Sequence, residues 1–470
     1  MNPVIGELRE FAEQGTISPG RMRVVEQNAI GLGLSSLQMM EAAGRSLAGY
    51  AEALNPERVL VLCGKGNNGA DGMVAARYLQ HSVKTDVCYL DHPGSTAECE
   101  VQRVLLQHCA VTLHAFRCSE DLENIRILFD EADVIIDALV GTGGAGEIRE
   151  PLATAVRLAN TSAARIISAD VPTPGIRDGR ICAFHRPKVA GSDVVDIGIP
   201  VGAECFTGPG ELTLVRDKPG DAHKGAGGEV LIVGGGPFQG APYLAGLGAL
   251  RGGADIVRIA SPVFEPLPDL IYERLSGDVI AEEHLGQILR WVSRADVVVC
   301  GNGLGDQSHA IVRAIARAAQ KVVFDADALR LPLPVAQDTI YTPHAGEFAR
   351  ITGETAVPDL AGRGRQVRAA ATDGVFLLKG PVDVISDGDR VRFNRTGTPA
   401  MTVGGTGDVL AGLTGALFCR IPAFEAACVA AYVNGRAGMA AASCRGSGLL
   451  ASDLLPLIPE ELFGGGTIHG

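Results

Sequence analysis

Residues 402–412 read Thr402-Val403-Gly404-Gly405-Thr406-Gly407-Asp408-Val409-Leu410-Ala411-Gly412, and this stretch decides how the second half of the chain is interpreted. Its glycines let the backbone close around a bulky anion, and the N–H groups at a helix start point at that anion with the positive end of the helix dipole. The apolar run from Val409 predicts a buried helix. Asp408 stands where a carboxylate can take a proton from a substrate hydroxyl. A tight turn entering a buried helix is the alternative, and the matching segments around the stretch favour the phosphate site.

The composition is that of an ordinary globular protein. The chain has 470 residues, of which 46% are hydrophobic and 20% charged, and at roughly 100–200 residues per domain this length predicts about two to four domains. The net charge of −13 argues against nucleic-acid binding. No signal peptide is expected, because Glu7, Arg9 and Glu10 precede any apolar run. No membrane span is expected either, because no apolar run reaches roughly 18 residues. The 11 cysteines form no Cys-x-x-Cys pair, which predicts reduced thiols in a cytoplasmic protein.

Short β-rich apolar runs alternate with helical patterns in both halves, which predicts two successive three-layer α/β domains with parallel sheets. In the first half the predicted strands are residues 59–63, 85–90, 134–138, 166–169 and 194–197, and the predicted helices are residues 19–34, 37–54, 70–81 and 96–108. In the second half the predicted strands are residues 229–233, 256–260, 297–300, 322–325 and 375–379. The seam is expected in the polar, Gly/Pro-containing residues 216–228, which gives domains 1–216 and 217–470.

The first predicted strand runs directly into Gly64-Lys65-Gly66-Asn67-Asn68-Gly69-Ala70-Asp71-Gly72. Ligands of open α/β sheets bind at the carboxyl ends of strands, so this turn is well placed for binding. It has neither the Walker order nor the dinucleotide fingerprint. Its asparagines suit a ligand that carries phosphate and an amide, or a monovalent cation. The alternative is a helix-capping turn with Asn68 or Asp71 as the cap.

Two further strand ends in the first half carry carboxylates beside small residues. Asp137 leads into Val140-Gly141-Thr142-Gly143-Gly144-Ala145-Gly146-Glu147, and Asp170 opens the segment Asp170-Val171-Pro172-Thr173-Pro174-Gly175. Because the carboxyl ends of parallel strands share one edge of a sheet, these segments predict a single crevice. Asp170 is the candidate acid/base group.

These segments resemble the NAD(P)H-hydrate epimerase family. Its Asn-Asn-Gly-Gly-Asp-Gly signature is similar to residues 67–72, with Ala70 at the fourth position, and its Asp-Ala-Leu-Phe-Gly-Thr-Gly is similar to residues 137–143. The resemblance implies a Rossmann-like domain in which Asp170 does acid/base work and Asn68, Asp137 and Thr173 hold K⁺. It also implies that hydrated NAD(P)H is bound by Asn67, Asn68, Gly69, Ala70, Asp71, Gly141, Thr142, Gly143, Gly144, Ala145, Gly146, Glu147 and Asp170.

The second half carries an ordered set of motifs that resembles the ribokinase-like fold and, within it, the NAD(P)H-hydrate dehydratases. The family's Gly-Pro-Gly-Leu-Gly is similar to residues 301–305, with Asn302 in place of proline. Its Asp-Ala-Asp-Ala-Leu is intact at residues 325–329, and its Thr-Pro-His-Pro-Gly-Glu is similar to residues 342–347, with Ala345 in place of the second proline. Its Lys-Gly and Gly-Thr-Gly-Asp-Val-Leu-Ala-Gly elements are intact.

The second resemblance implies a C-terminal dehydratase domain in which Asp408 is the base on the hydroxyl of the hydrated ring. The nucleotide, ADP or ATP, is expected to contact Lys379, Gly380, Pro381, Val382, Asp383, Gly404, Gly405, Thr406 and Gly407. The hydrated cofactor is expected to contact Ala241, Gly303, His344 and Asp408. Mg²⁺ would bridge the phosphates, with Glu347 supporting it through water. Alone, His344 would be interpreted as a structural histidine.

Together, the two halves predict repair of hydrated NADH and NADPH. The first domain would interconvert the R- and S-hydrates, and the second would dehydrate the S-form to NAD(P)H, with AMP and phosphate released if ADP is used. The alternative is a ribokinase-like kinase of small alcohols with a non-catalytic N-terminal binding domain. The expected partners are these small molecules and a second copy of the chain in a homo-oligomer, with no nucleic acid and no membrane.

Overall fold

The structure, a computed structural model, describes residues 5–144, 146–177, 179–215, 225 and 227–464. They form two compact units: Glu13–Pro200, here the first unit, and the described residues of Met1–Ala12 and Val201–Gly470, here the second unit. The boundary at residue 216 stays a prediction, and most of the expected seam lies outside the described residues, as does Ala145. Residues 201–215 belong to the second unit.

The first unit is built on a seven-stranded parallel sheet in the order β3-β2-β1-β4-β5-β6-β7. Its strands are β1 (Arg58–Cys63), β2 (Lys84–Leu90), β3 (Thr112–Phe116), β4 (Val134–Ala138), β5 (Arg165–Ala169), β6 (Arg180–Phe184) and β7 (Asp193–Val195). Its helices are α1 (Pro19–Gly31), α2 (Ser36–Glu52), α3 (Asn67–Leu79), α4 (Ala97–Leu106), α5 (Ser119–Asn124), α6 (Ile127–Glu131) and α7 (Leu152–Thr161). The strand order reverses between β1 and β4, so the loops after these two strands meet at a switch point.

The second unit is built on a nine-stranded sheet in the order β10-β9-β8-β11-β12-β13-β14-β15-β16. Its strands are β8 (Glu229–Val233), β9 (Ile256–Ser261), β10 (Ile271–Arg274), β11 (Val297–Cys300), β12 (Lys321–Phe324), β13 (Asp338–Tyr341), β14 (Val375–Leu378), β15 (Asp383–Ser386) and β16 (Val391–Asn394). Its helices are α8 (Val201–Cys205), α9 (Ala241–Arg251), α10 (Leu285–Val292), α11 (His309–Ala318), α12 (Ala345–Thr352), α13 (Leu360–Ala370), α14 (Thr406–Phe418), α15 (Ala423–Arg445) and α16 (Ile458–Phe463). Only β15 runs antiparallel to its neighbours, and the order reverses between β8 and β11.

The predicted fold class is confirmed in both units, and the central strands lie where the apolar runs predicted them. Strands β1, β4, β8 and β11 are buried almost throughout, as expected for parallel strands covered on both faces. No helix among the described residues is long and apolar enough to cross a membrane.

Two helices begin earlier than predicted. Helix α3 begins at Asn67 rather than residue 70, with Gly66 as its N-cap, and α14 begins at Thr406 rather than Val409, with Gly405 as its N-cap at φ 99°. The capping alternative for Asn68 and Asp71 is therefore wrong. Glycine N-caps leave no side-chain signature, which is why the sequence pattern placed both starts too late.

Glycines let α9 and α14 pack backbone against backbone. A methyl group on Gly412 would overlap the carbonyl oxygen of Ala245, and one on Gly248 would lie 2.5 Å from the carbonyl oxygen of Val409. The close approach fixes the N-terminal ends of the two helices beside each other, at the carboxyl edge of the sheet.

Gly412→Ala is expected to lower the free energy of unfolding of the second unit by about 3 kcal/mol, the upper end of overpacking costs. The added carbon would meet backbone, which no side-chain rotation can relieve. Denaturant unfolding followed by circular dichroism measures the change. Gly286→Ala in α10 is the control, because nothing lies within 4 Å of the added carbon, and it should change stability by less than about 1 kcal/mol. Equal losses in both variants would contradict the packing argument.

Candidate active sites

The first unit contains a cavity of about 640 Å³ at the carboxyl ends of β1 and β4, a size typical of small-molecule sites. Of the predicted site residues, it is lined by Asn67, Asn68, Asp71, Gly141, Thr142, Gly143, Gly144 and Asp170. Gly69, Ala70, Asp137 and Thr173 are buried but do not line the cavity, and Gly146 and Glu147 are exposed outside it. The structure therefore brings the three predicted strand ends to one crevice.

Asp170 is held in the cavity by a buried lysine. Lys188 donates from Nζ to Asp170 Oδ1 at 2.6 Å and to the carbonyl oxygen of Phe184 at 2.7 Å, and the Lys188 side chain is 3% exposed. The Phe184 N–H donates to the same carboxylate at 3.1 Å. The carboxylate of Asp170 is thus ion-paired with a buried lysine.

Two further carboxyl groups that line the same cavity have raised pKa values. Burial, followed by the charges of Asp170 and Glu26, raises the pKa of Asp71 well above its ordinary value. Burial also raises the pKa of Glu26, against the lowering effect of Lys188. A carboxyl group with a raised pKa beside an ion-paired carboxylate is a suitable proton donor for acid/base chemistry.

Sequence reasoning missed Lys188 and Glu26. Lys188 lies 18 residues beyond Asp170, after β6, and Glu26 lies on α1. Neither belongs to a glycine motif or a strand end that the pattern singled out. Only the packed fold shows that they face Asp170.

Asp137 lies beneath the cavity and is completely buried. Its carboxylate accepts hydrogen bonds from Thr173 Oγ1 at 2.6 Å, from the Thr173 N–H at 2.9 Å and from Ser168 Oγ at 3.0 Å. Burial raises its pKa, although these hydrogen bonds lower it. Within the described residues no lysine or arginine forms an ion pair with Asp137. In the described part of the chain, Asn68 Nδ2 is buried and has no hydrogen-bond partner.

In the second unit, four side chains form a hydrogen-bonded row: Lys379, Asp325, Asn302 and Asp408. Lys379 Nζ donates to Asp325 Oδ1 at 2.8 Å. Asn302 Nδ2 donates to Asp325 Oδ2 at 3.1 Å and to Asp408 Oδ1 at 2.7 Å. Thr342 Oγ1 also donates to Asp325 Oδ1, at 2.8 Å. The row runs across the carboxyl ends of β11, β12 and β14 to the first turn of α14.

Close approach of two strand exits makes this row possible. Gly301 follows β11 with φ 129°, and a side-chain carbon there would overlap the carbonyl oxygen of Asp325, which follows β12. The left-handed backbone and the missing side chain let the two exits touch. Asn302 is thereby set directly beside the carboxylate of Asp325.

The environment of the row shifts the pKa values of Asp408 and Lys379, the residues at its two ends. Burial raises the pKa of Asp408 to about 7, helped by the charge of Asp325, while the Asn302 hydrogen bond and Lys379 lower it. Burial lowers the pKa of Lys379, but Asp325, Glu347 and Asp408 together raise it above its ordinary value. Lys379 is therefore a cation, and Asp408 takes up and gives off a proton near neutral pH.

The predicted nucleotide residues border the same turn. A side-chain carbon on Gly407 would lie 3.3 Å from Lys379 Nζ, so the ammonium lies against the glycine loop at the start of α14. Asp383 has an internal role, since it accepts from the Gly380 N–H and from Asn394 Nδ2, both at 2.9 Å. Burial raises the pKa of Asp383 to about 6. Gly380 and Pro381 are exposed beside it.

The predicted substrate residues lie on either side of this row. A side-chain carbon on Gly303 would lie 3.3 Å from the methyl carbon of Ala241, the first residue of α9. His344 pairs with Lys379 in an isolated parallel bridge. Its Nδ1 caps α12 by accepting from the Gly346 N–H at 3.0 Å, while the side chain stays 60% exposed. Nδ1 of His344 therefore has a structural role, and Nε2 lies 3.4 Å from Glu347 Oε1. The predicted contact of His344 with the hydrated cofactor stays a prediction.

Sequence reasoning left Asp325 and Asp327 out of the site, and it treated Asn302 only as a departure from the family motif. Asp325 is the centre of the row, and Asp327 Oδ2 accepts from the Gly305 N–H at 2.8 Å. The intact Asp-Ala-Asp-Ala-Leu motif was the available signal for both aspartates. The Asn302 contact, across 106 positions, had no local signal.

The fold and this second site define an enzyme of the ribokinase-like class, in which an aspartate at a glycine-bordered helix start faces a lysine. Residues 230–460 match the family model described as NAD(P)H-hydrate dehydratase, and residues 36–184 match the model of the YjeF-related protein N-terminus. The chain belongs to the bifunctional NAD(P)H-hydrate repair enzyme family, as the following relatives show.

Relatives of that name cover almost the whole chain. The bifunctional NAD(P)H-hydrate repair enzyme Nnr of Methanospirillum hungatei is 52% identical, over 97% of this chain and 95% of its own. That of Archaeoglobus fulgidus is 38% identical, over 95% of this chain and 98% of its own. Among solved structures, an ADP/ATP-dependent NAD(P)H-hydrate dehydratase from Bacillus subtilis, co-crystallised with ATP and Mg²⁺, is 26% identical and has a TM-score of 0.47, covering 55% of this chain and 97% of that one. The family predicted from the sequence is confirmed, and the small-alcohol kinase alternative is not retained.

Proposed function

We propose that the second unit dehydrates S-NAD(P)H-hydrate with ADP or ATP, and that the first unit interconverts the R- and S-hydrates. The observation that carries the dehydratase proposal is the Asp408 carboxylate in the first turn of α14, joined through Asn302 and Asp325 to Lys379. It combines a base that titrates near neutral pH with a cation and free helix N–H groups for phosphate.

In the proposed dehydration, Asp408 takes the proton of the ring hydroxyl while the hydroxyl oxygen attacks the terminal phosphorus of the nucleotide. With ADP, the P–O bond to AMP breaks and a phosphate ester of the ring forms. The ester C–O bond then breaks, phosphate leaves, and loss of a proton from the neighbouring ring carbon forms the double bond of NAD(P)H. Lys379 and the N–H groups of residues 404–407 stabilise the charge on the transferring phosphoryl group.

The residues present fit a Mg²⁺ ion that arrives with the nucleotide. Within the described residues there is no cluster of three or more His, Cys, Asp or Glu side chains able to hold a metal. Mg²⁺ in phosphoryl-transfer sites is bound mainly by phosphate oxygens and water, with one or two carboxylates. Glu347, 7% exposed and set at the start of α12, is the carboxylate that would support it through water. When bound, the ion would neutralise phosphate charge.

In the proposed epimerisation, the ring carbon that carries the hydroxyl is also bonded to the ring nitrogen. Asp71 donates a proton to the hydroxyl, which leaves as water while the nitrogen lone pair forms a C=N bond. Water then adds to the other face of that carbon and gives a proton to Asp170. Lys188 pairs with Asp170 at 2.6 Å and holds its carboxylate in place for this step.

The residues around Asp137 fit K⁺ as a structural ion. A fully buried carboxylate with only neutral partners is energetically costly, and a monovalent cation would compensate its charge. Thr173 and the Asn68 side chain supply the neutral oxygens suited to a hard cation. Bound there, the ion would supply positive charge beneath the loop of residues 141–144, and Asp137 with Thr173 would hold that loop in place.

Cytoplasmic location and a homo-oligomer complete the proposal. All 11 cysteines are free thiols, which supports a reducing compartment.

With purified S-hydrate, Mg²⁺ and either ADP or ATP, kcat for dehydration is expected to rise with pH through about 7. The reason is that Asp408 acts in its ionised form, whereas burial raises its pKa to about 7. Formation of NAD(P)H, followed by absorbance from pH 5.5 to 9, measures the profile. A flat profile would contradict Asp408 as the base, and no reaction with either nucleotide would contradict the dehydratase proposal itself.

A further inference from the structure

Asn302 occupies an unusual position between two carboxylates. Its side chain is completely buried, and its single Nδ2 atom donates to Asp408 Oδ1 at 2.7 Å and to Asp325 Oδ2 at 3.1 Å. Ionised carboxylates only accept hydrogen bonds, so the amide nitrogen must face them and the orientation of the amide is fixed. The other amide atom, Oδ1, is buried and has no hydrogen-bond partner among the residues that the structure describes.

An unpartnered buried oxygen is unfavourable, and it persists here together with two strong contacts on the nitrogen side. The family motif that this segment resembles has proline at position 302, which has no side-chain donor. The free-energy cost of burying the unpartnered Asn302 oxygen is therefore offset by the contacts of the Asn302 nitrogen. One of these contacts is with the carboxylate of Asp408, the proposed base.

We propose that Asn302 is a positioning residue of the dehydratase site, which fixes one oxygen of Asp408 against the Asp325–Lys379 pair and leaves the other oxygen to accept the substrate's hydroxyl proton. This inference rests on the proposed dehydratase function. It adds a role for a side chain that departs from the family motif.

The contact of Asn302 with Asp408 also affects the repulsion between the carboxylates of Asp408 and Asp325. Asp325 and Asp327 repel the ionised form of Asp408, and the Asn302 amide and Lys379 favour it. Because the Asn302 amide nitrogen donates to both carboxylates, it bridges Asp408 and Asp325 and offsets part of the repulsion between them. Removing it takes away a stabilising contact of ionised Asp408 while the repulsion from Asp325 remains.

Helices packed against α14 add no further charge at Asp408. Helix α9 carries Tyr243, whose hydroxyl donates to the carbonyl oxygen of Val263, and Arg251 at its opposite end. The charged groups of α15 pair elsewhere: Glu425 with Arg390, Arg436 with Glu461 and Arg445 with Asp453. The ionisation of Asp408 is therefore governed by its burial, by the row and by the charge of Asp327.

The test is the pH profile of kcat for S-hydrate dehydration in Asn302→Leu, which keeps the size of the side chain and removes the donor. The acidic limb is expected to move up by about one pH unit. From a starting value near 7, this lowers kcat at pH 7 by about fivefold, because the ionised fraction falls from about one half to about one tenth. At pH 9 kcat should return to within about twofold of the wild type, and KM for the nucleotide should stay within about twofold.

Thr414→Val is the matched control. Thr414 is also completely buried, lies on the same helix as Asp408, and uses its hydroxyl only to donate to the carbonyl oxygen of Leu410. In Thr414→Val, the acidic limb of the pH profile of kcat should not move. Asn302→Asp keeps the side-chain shape and replaces the donor by a third carboxylate, so its limb should move up further, and it serves if the leucine variant does not fold.

An unshifted acidic limb in the Asn302 variants, beside an active wild type, would overturn this inference alone. A rate loss of equal size at every pH would overturn it as well. No dehydration by the wild-type enzyme would overturn the proposed function, and this inference with it.

Discussion

Asp408→Asn is expected to lower kcat for S-hydrate dehydration by about 10³-fold, within the range that positioned general bases contribute. Asparagine keeps the shape of the side chain but cannot take the hydroxyl proton. Loss of the negative charge next to the phosphate site should at the same time tighten binding of the hydrated cofactor. Single-turnover rates and equilibrium binding, measured separately, distinguish the two effects.

The matched control is Asp327→Asn, at a carboxylate in the same site that accepts from the Gly305 N–H and does not join the hydrogen-bonded row. It should lower kcat far less, and it should move the acidic limb of the pH profile down, because one charge that repels ionised Asp408 is removed. Near-normal dehydration by Asp408→Asn would mean that another group is the base.

Asp170→Asn is expected to stop enzymatic epimerisation, so that R-hydrate disappears only at its spontaneous rate. The variant cannot accept a proton from the adding water, and its amide cannot form the ion pair with Lys188. Asparagine is the right substitution because Asp170 has φ 63°, a conformation that asparagine tolerates better than most residues. Chiral separation of the two hydrates over time measures the loss.

Two controls keep this result interpretable. Dehydration of pure S-hydrate by the same variant should be unchanged, since the second unit holds its own base. Asp193→Asn changes an exposed carboxylate of the first unit that pairs with Arg180 and Tyr50, and it should epimerise normally. Continued enzymatic interconversion in Asp170→Asn would remove Asp170 from the proposed mechanism.

The sequence predicted the architecture well where buried strands appear as continuous apolar runs. Apolar runs such as residues 59–63 and 297–300 are central parallel strands, and both were placed to within one residue. Six strands were not predicted: β3, β6, β10, β13, β15 and β16. Strand β3 is half-exposed at the sheet edge, and β16 includes the buried charge of Arg392, so neither forms an apolar run.

The site was predicted as a set of motifs rather than as a set of contacts. The glycine loops after β1 and β4 were predicted at strand ends and Asp408 at a helix start, because these signals are local. Lys188 and Asn302 could not be assigned roles, since their partners lie 18 and 106 positions away. The raised pKa of Asp408 could not be predicted from the sequence either, because it comes from burial and from the charge of Asp325.

The measurement that tests the account most directly is recovery of reduced-nicotinamide absorbance from a mixed preparation of R- and S-NADPH hydrate, with the full chain, Mg²⁺ and ADP or ATP. The account predicts complete, enzyme-dependent recovery, because the first unit supplies S-hydrate as the second consumes it. Recovery that stalls when the S-form is spent would contradict the proposed epimerase and leave the dehydratase. No recovery with either nucleotide would contradict the central claim.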